Sequence, residues 1–348
     1  MRLLVTGGCG FIGTNFIYQV LEAHPDWSVV NLDKLTYAGN RANLLPLEEA
    51  NEASGGRYTF VQGDIADAKL VPALLAEHKV DAVVNFAAES HVDRSITDPA
   101  PFVTTNVLGA QNLLWSARTA GVERFVHIST DEVYGTLAPD ESAFTEKTPL
   151  APNSPYSASK ASADLLCRAF FKTYAYPVVV TRCSNNYGPW QFPEKLIPLM
   201  AKLARAGQPL PVYGDGLHVR DWIHVSDHCR GVELALTKGR PGAVYNFGGN
   251  AELPNIDVVR AILAAMDRPE TLVRHVKDRP GHDRRYAMDF TLAREELGFE
   301  PLVDFDRGIR DTLAWYEANQ PWMESIIDGS YRDGSYRDFM DTWYSERT

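Results

Sequence analysis

The sequence predicts an α/β protein: a doubly wound parallel sheet followed by a smaller C-terminal α/β region. Two observations lead there. Up to about residue 185, short β-branched runs alternate with longer helix-like stretches. Each run is apolar throughout rather than at every second residue, which is the pattern of strands covered on both faces. The first run, "RLLVTG" (2–7), feeds a helical pattern over 11–23. "SVVNLD" (28–33) is followed by a polar stretch, "YTFVQGD" (58–64) by a helix over 68–78, and "VDAVVNFAA" (80–88) by one over 99–120. "RFVHIST" (124–130) is followed by a helix over 155–175, and "PVVVTRC" (177–183) closes the series. Beyond it prolines and glycines crowd in, as in "GQPLPVYGDG" and "DRPGHDRR", between helical patterns near 194–206, 226–237, 255–266 and 306–318. The expected division is therefore 1–185 for the sheet and 186–348 for a substrate region, with some chain crossing back to the sheet. The tail repeats "GSYRD" at 329–333 and 334–338, too few copies for a solenoid and read as a surface extension.

Composition narrows the function. Of the 348 residues, 45% are apolar and 11% aromatic, enough for a substantial core, and the net charge is −11 without a long basic run. A surface for nucleic acid is not expected. The four cysteines (Cys9, Cys167, Cys183, Cys229) lie far apart without CxxC spacing, so free thiols in a reducing compartment are expected and no metal site. "MRLLVTGG" has too short an apolar run for a signal peptide, and nowhere do about 18 apolar residues run together. A cytoplasmic protein with no membrane partner is expected.

The turn between the first strand and the first helix reads "TGGCGFIG", with Gly7, Gly10 and Gly13 in GxxGxxG spacing. Glycine there permits a tight turn, close approach of backbone to a pyrophosphate, and close packing of helix on strand. Asp33 ends the next strand 20 residues after Gly13, where an acid binds adenosine ribose hydroxyls and repels a 2′-phosphate. Together they predict a Rossmann-type fold that binds NAD rather than NADP. Lys34 is the feature that pulls the other way. Asp64 and Ile65 after the third strand are expected to border the adenine, and "FAAESH" after the fourth to line the dinucleotide groove.

Tyr156 and Lys160 in "SPYSASKAS" stand four apart at the start of a helix and so share a face. A free tyrosine titrates at about 10 and is a poor base at neutral pH. A lysine cation ~5 Å away, at an effective dielectric of ~20, favours the phenolate by about 3 kcal/mol. After the fifth strand of a nucleotide-binding sheet, the pair is expected to be catalytic. "STDEVYG" (129–135) then sets Asp131 and Glu132 side by side where that strand should end. Consecutive strand residues point to opposite faces, so both acids meet one ligand only if the chain has left the extended form by residue 131. The alternative is an exposed acidic turn or the first turn of a helix.

Through "TGGCGFIG", "DKLTYAGN", "FAAESHVDRSI", "STDEVYG", "SPYSASKASAD", "RCSNNYGPWQFPEKLIP", "VYGDGLHVRDWIHV" and "DRPGHDRRYA", the chain resembles the extended short-chain dehydrogenase/reductase family. Within it, the likeness is to the 4,6-dehydratases of nucleotide sugars. It covers nearly the whole chain; only the repeated "GSYRD" departs. The resemblance implies that bound NAD takes a hydride from C4 of dTDP-glucose and returns it at C6. Glu132 is then the base at C5, Asp131 the acid at C6, and Thr130 a hydrogen-bond partner of the C4 oxygen beside Tyr156 and Lys160. It implies a cofactor set of Gly7, Gly10, Phe11, Ile12, Gly13, Asp33, Lys34, Leu35, Thr36, Asp64, Ile65, Ala87, Ala88, Glu89, Thr105, Tyr156, Lys160 and Asn186. For the substrate it implies Ser90, Thr130, Asn185, Glu194, Lys195, Leu196, Pro211, Val212, Tyr213, Arg220, Asn255, Arg279 and His282, with 211–213 flanking the thymine. Helices at about 97–119 and 155–175 are expected to pair across a homodimer. A nucleotide-sugar 4-epimerase needs Thr or Ser, Tyr and Lys but no acid pair, and a glucuronate decarboxylase resembles "TSE" here. A catalytically dead NAD sensor is expected to lack Tyr156 or Lys160.

Overall fold

A computed structural model describes residues 1–54, 56–278 and 281–327; the "GSYRD" repeat and Arg279 lie outside them. Twelve strands follow in chain order: β1 Arg2–Thr6, β2 Ser28–Asp33, β3 Tyr58–Gln62, β4 Ala82–Asn85, β5 Arg124–Thr130, β6 Val178–Cys183, β7 Asn185–Tyr187, β8 Leu210–Tyr213, β9 Val219–His224, β10 Val244–Phe247, β11 Glu252–Pro254 and β12 Val273–Val276. The helices between and after them are α1 Phe11–Ala23, α2 Leu45–Ser54, α3 Leu70–Glu77, α4 Val92–Thr97, α5 Ala100–Phe102, α6 Ala110–Thr119, α7 Pro155–Tyr174, α8 Leu196–Arg205, α9 Val225–Lys238, α10 Asn255–Ala265, α11 Thr291–Leu297, α12 Phe305–Ala318 and α13 Gln320–Ile327.

Seven strands form one parallel sheet in the order β10-β6-β5-β4-β1-β2-β3. β4 and β6 are buried at every residue, which is why their sequences run apolar without alternation. One core, including Phe16, Ile17, Val84 and Phe247, lies on one face; a second, including Val83, Leu113, Phe125 and Cys167, lies on the other. The chain winds outward in opposite directions from β1 and β4, whose ends part to leave a crevice at the carboxyl edge.

One feature differs from the sequence reading. The stretch expected as one helix over 99–120 is α5, a π-helical segment Val103–Gly109, and α6 in succession, because an extra residue per turn leaves little trace in a 3.6-residue pattern. The seventh strand comes from the far part of the chain, where some crossing back to the sheet is expected: β10 pairs with β6, Val244 opposite Val180, and α9 packs beside α1 against β5, β6 and β10. The remaining C-terminal elements form a three-stranded sheet, β11-β9-β7, and a pair, β12-β8. They close over a third core with Tyr187, Met200, Trp222 and Ile262.

Candidate active site

A cleft of about 1570 Å³ opens at the carboxyl edge of the large sheet. Its floor is the glycine turn. Gly7 has φ +69°, and a Cβ there would fall 2.6 Å from the Ala87 nitrogen; a Cβ at Gly13 would fall 2.4 Å from the Gly7 carbonyl oxygen. Gly10 caps α1 with no side chain over the helix's first N–H groups, which leaves them for an anion. The Asp33 carboxylate accepts from the Cys9 N–H at 2.8 Å and the Leu35 N–H at 2.7 Å, so it holds the glycine turn against the end of β2. Lys34 is paired with Asp64 at 2.7 Å, which offsets the positive charge that would favour a 2′-phosphate. A cradle for a pyrophosphate with an acid at the ribose position fits NAD. Every expected cofactor residue lines this cleft except Leu35, whose left-handed backbone (φ +56°) packs it on the core.

A second cleft of about 1120 Å³ lies under the C-terminal elements. Ser90, Asn185, Glu194, Lys195, Leu196, Pro211, Val212, Tyr213, Arg220, Asn255 and His282 line it, whereas Thr130 faces the first cleft. His282 Nδ1 bonds Asp278 at 2.6 Å and its ring stacks on His218 at 3.7 Å, with His218 Nε2 3.3 Å from the same carboxylate. The ligating atoms of these three lie within 4.8 Å of one another, and the two imidazole–carboxylate contacts account for the grouping.

The two clefts meet along Ser90, Glu132, Asn185, Glu194 and Lys195. β5 ends at Thr130, and Asp131–Tyr134 is a single 3-10 turn capped by the Thr130 hydroxyl, which accepts from the Glu132 N–H at 3.3 Å. The chain has left the strand at residue 131, so the acids are not thrown to opposite faces. Glu132 lines both clefts. Asp131 is 2% exposed; Thr130 Oγ1 donates to its Oδ1 at 3.2 Å, and Oδ2 has no partner among the described residues. Burial holds the Asp131 carboxyl well above the ordinary range, repulsion from Glu132 adds to this, and Arg220 opposes it.

The helix carrying the second motif starts with a capping box, in which Ser154 and Ser157 each bond the other's backbone, and with Pro155 in its first turn. Tyr156 and Lys160 follow on one face, both lining the first cleft. The Lys160 ammonium donates to the Ile128 carbonyl at 2.6 Å. The expected lowering of Tyr156 by Lys160 is not found in the protein alone. Burial first, then Glu132, pushes the phenol well above its usual value, opposed by a hydrogen bond with Thr130. Burial likewise lowers Lys160, opposed chiefly by Asp164.

Comparison with known proteins agrees with this geometry. The family model described as GDP-mannose 4,6 dehydratase matches residues 4–312. A dTDP-glucose 4,6-dehydratase of Xanthomonas campestris pv. campestris is 54% identical over 94% of this chain and 97% of its own. The Escherichia coli enzyme of that name is 48% identical over 95% and 98%. The chain belongs to the dTDP-glucose 4,6-dehydratase family. DesIV, the dTDP-glucose 4,6-dehydratase of Streptomyces venezuelae, crystallised with NAD and dTDP bound, superposes with a TM-score of 0.89 at 51% identity over 94% of this chain and 100% of that one.

Within this dehydratase frame several residues were not legible beforehand. Tyr37, Gln191 and Phe192 also line the first cleft, and His91, Trp222 and Tyr286 the second. Asn106, inside the π-helical segment, accepts from the Glu89 N–H and donates to the Glu89 carbonyl, both at 2.9 Å, and donates to Ser159 at 2.8 Å. It ties the end of β4 to the helix of Tyr156. An Asn inside a helical pattern, three residues before a glycine, was the available signal.

Proposed function

We propose that this chain converts dTDP-glucose to dTDP-4-keto-6-deoxyglucose using tightly held NAD, as a step in deoxysugar synthesis. What carries the reading is a buried carboxyl group, its proton affinity raised, next to Glu132, which lines both a dinucleotide cleft and a second cleft lined by Lys195 and Arg220. Gly7, Gly10, Gly13 and the first turn of α1 would hold the pyrophosphate of NAD, and Asp33 the adenosine ribose. NAD, when bound, accepts the C4 hydride and returns a hydride to C6.

Tyr156 takes the C4 hydroxyl proton, with Thr130 bonding the same oxygen and Lys160 adding positive charge. The resulting ketone acidifies the C5 proton, which Glu132 removes. Asp131, protonated because it is buried, donates to the C6 hydroxyl as it leaves as water. Glu132 then gives its proton back at C5. Arg220 and Lys195 suit a diphosphate, and Pro211, Val212 and Tyr213 form a wall for the base. Four buried free cysteines suit a reducing cytoplasm. Among the described residues no helix is long and apolar enough to cross a membrane. Exposed Val103, Leu108, Trp115 and Leu165, on the expected pairing helices, support a homodimer.

The test is product mass. With dTDP-glucose and no added reductant, the product is lighter by one water, and UDP-glucose reacts slowly or not at all. A product of unchanged mass would mean epimerisation.

A further inference from the structure

Beneath the Tyr156–Lys160 pair lies a buried polar chain that the mechanism above does not use. α7 carries Tyr156, Lys160 and Asp164 at four-residue intervals, so the three stack along one face. Asp164 Oδ2 accepts from Arg182 Nε on β6 at 2.8 Å. Arg182 donates onward to the Tyr134 hydroxyl at 2.8 Å, and Tyr134 donates to Asn246 on β10, also at 2.8 Å. Asp164 Oδ1 lies 3.9 Å from His127 Nε2 on β5.

The tautomer of His127 follows from its neighbours. Thr6 donates to Asn85 Oδ1 at 2.6 Å, which leaves the Asn85 amide N–H to donate to His127 Nδ1 at 3.1 Å. The imidazole proton is therefore on Nε2, whose nearest carboxylate oxygen, Asp164 Oδ1, lies beyond hydrogen-bond distance. Lys160, Asp164 and Arg182 are each 5% exposed or less. Asp164 is thus ion-paired with Arg182 on one side and has Lys160 one helical turn away on the other, with no ion pair between Lys160 and Asp164 among the described residues; burial raises the Asp164 carboxyl, opposed first by Arg182.

We propose that Asp164 is a positioning residue that keeps Lys160 charged and thereby sets the pH window in which Tyr156 accepts the C4 hydroxyl proton. This rests on the dehydratase reading above. Asp164 touches neither cleft and acts through Lys160. The other groups facing this cluster do not replace it. From β5, His127 is kept neutral by burial and by Lys160, and the Ser129 hydroxyl faces the carboxylate. From β6, Cys183 is pushed up to about 12, and on α7 Cys167 is pushed well above its usual value, so both stay as thiols. From the turn after β5, Tyr134 is raised to about 12, while Asp131 and Glu132 face Tyr156. Glu146, reaching Arg182 from beyond the turn, is raised by burial.

The sign of the effect is fixed by charge. Without the Asp164 anion, Lys160 and Tyr156 both lose protons more readily. The acid and alkaline limbs of the rate of C4 oxidation, followed on holoenzyme as reduction of bound nicotinamide on mixing with dTDP-glucose, then both move to lower pH in Asp164→Asn, by about one pH unit. Asp164→Glu keeps the anion beside Arg182 and leaves both limbs at the wild-type positions. A structural role alone would lower the melting temperature and the rate of each variant without moving the limbs. Limbs that stay in place in folded Asp164→Asn, or that move as far in Asp164→Glu as in Asp164→Asn, would overturn the proposal. A wild type that removes no water from dTDP-glucose would sink the dehydratase reading instead.

Discussion

Two adjacent carboxyl groups behave differently because they stand in different surroundings. Asp131 is turned inward, with one oxygen on Thr130 and the other without a partner among the described residues, so burial raises its affinity for a proton. Glu132 lines both clefts and faces whatever occupies them. In the proposed mechanism Asp131 is the acid, and the fold raises its affinity for protons, so activity is expected below that raised value and is lost as pH rises through it. Replacing both, Asp131→Asn with Glu132→Gln, removes the acid and the base but leaves Thr130, Tyr156 and Lys160. General acid and base groups are each worth roughly 10²- to 10⁴-fold, so turnover falls by at least about 100-fold. Reduced nicotinamide accumulates on the enzyme when dTDP-glucose is added, seen by its absorbance. Full turnover in the double variant would remove these acids from the mechanism.

The elements deliver those residues through their ends. The first strand and helix meet in a turn that has no room for side chains, which is why the glycine spacing was legible as chemistry. Gly13→Ala forces a methyl to within 2.4 Å of the Gly7 carbonyl and 2.7 Å of the Gly8 Cα, backbone atoms that cannot rotate away. Overpacking of this kind costs about 1–3 kcal/mol, so affinity of the stripped protein for NAD falls by roughly 10- to 100-fold in calorimetry. An unchanged affinity would show that the turn is not the pyrophosphate site. At α7 the serine box and Pro155 set where the helix begins and hence which way Tyr156 points. The π-helical segment was hidden because its one-residue register change serves a contact with Glu89 and Ser159, residues far from it in sequence.

At the scale of the molecule, the C-terminal half does two jobs: β10 and α9 complete the sheet, and the remaining elements roof the second cleft. α13 reaches back across the fold, Trp322 donating to Asn43 at 2.8 Å, so the end of the described chain braces the segment that follows the Asp33 strand. The outer faces of the helices on the opposite flank leave Leu108 56% and Trp115 47% exposed. Substituting glutamate at both is expected to convert a dimer to a monomer in sedimentation, with the clefts intact because neither residue lines them. A wild-type mass of about 38.7 kDa in solution would remove the dimer.

What the sequence by itself determined was the layered α/β class, the dinucleotide turn, the Tyr156–Lys160 spacing and the departure from the strand at Asp131. These are local: a glycine that must be small, two side chains one helical turn apart, a strand whose apolar run stops. Only the tertiary structure decided that β10 closes the sheet, that Glu132 sits where two clefts meet, that Lys34 is tied to Asp64, and that Tyr156 is raised rather than lowered in the protein alone. Each of these depends on burial and on partners tens to hundreds of residues away. A one-dimensional pattern records spacing along the chain, whereas desolvation and charge pairing depend on distance through space.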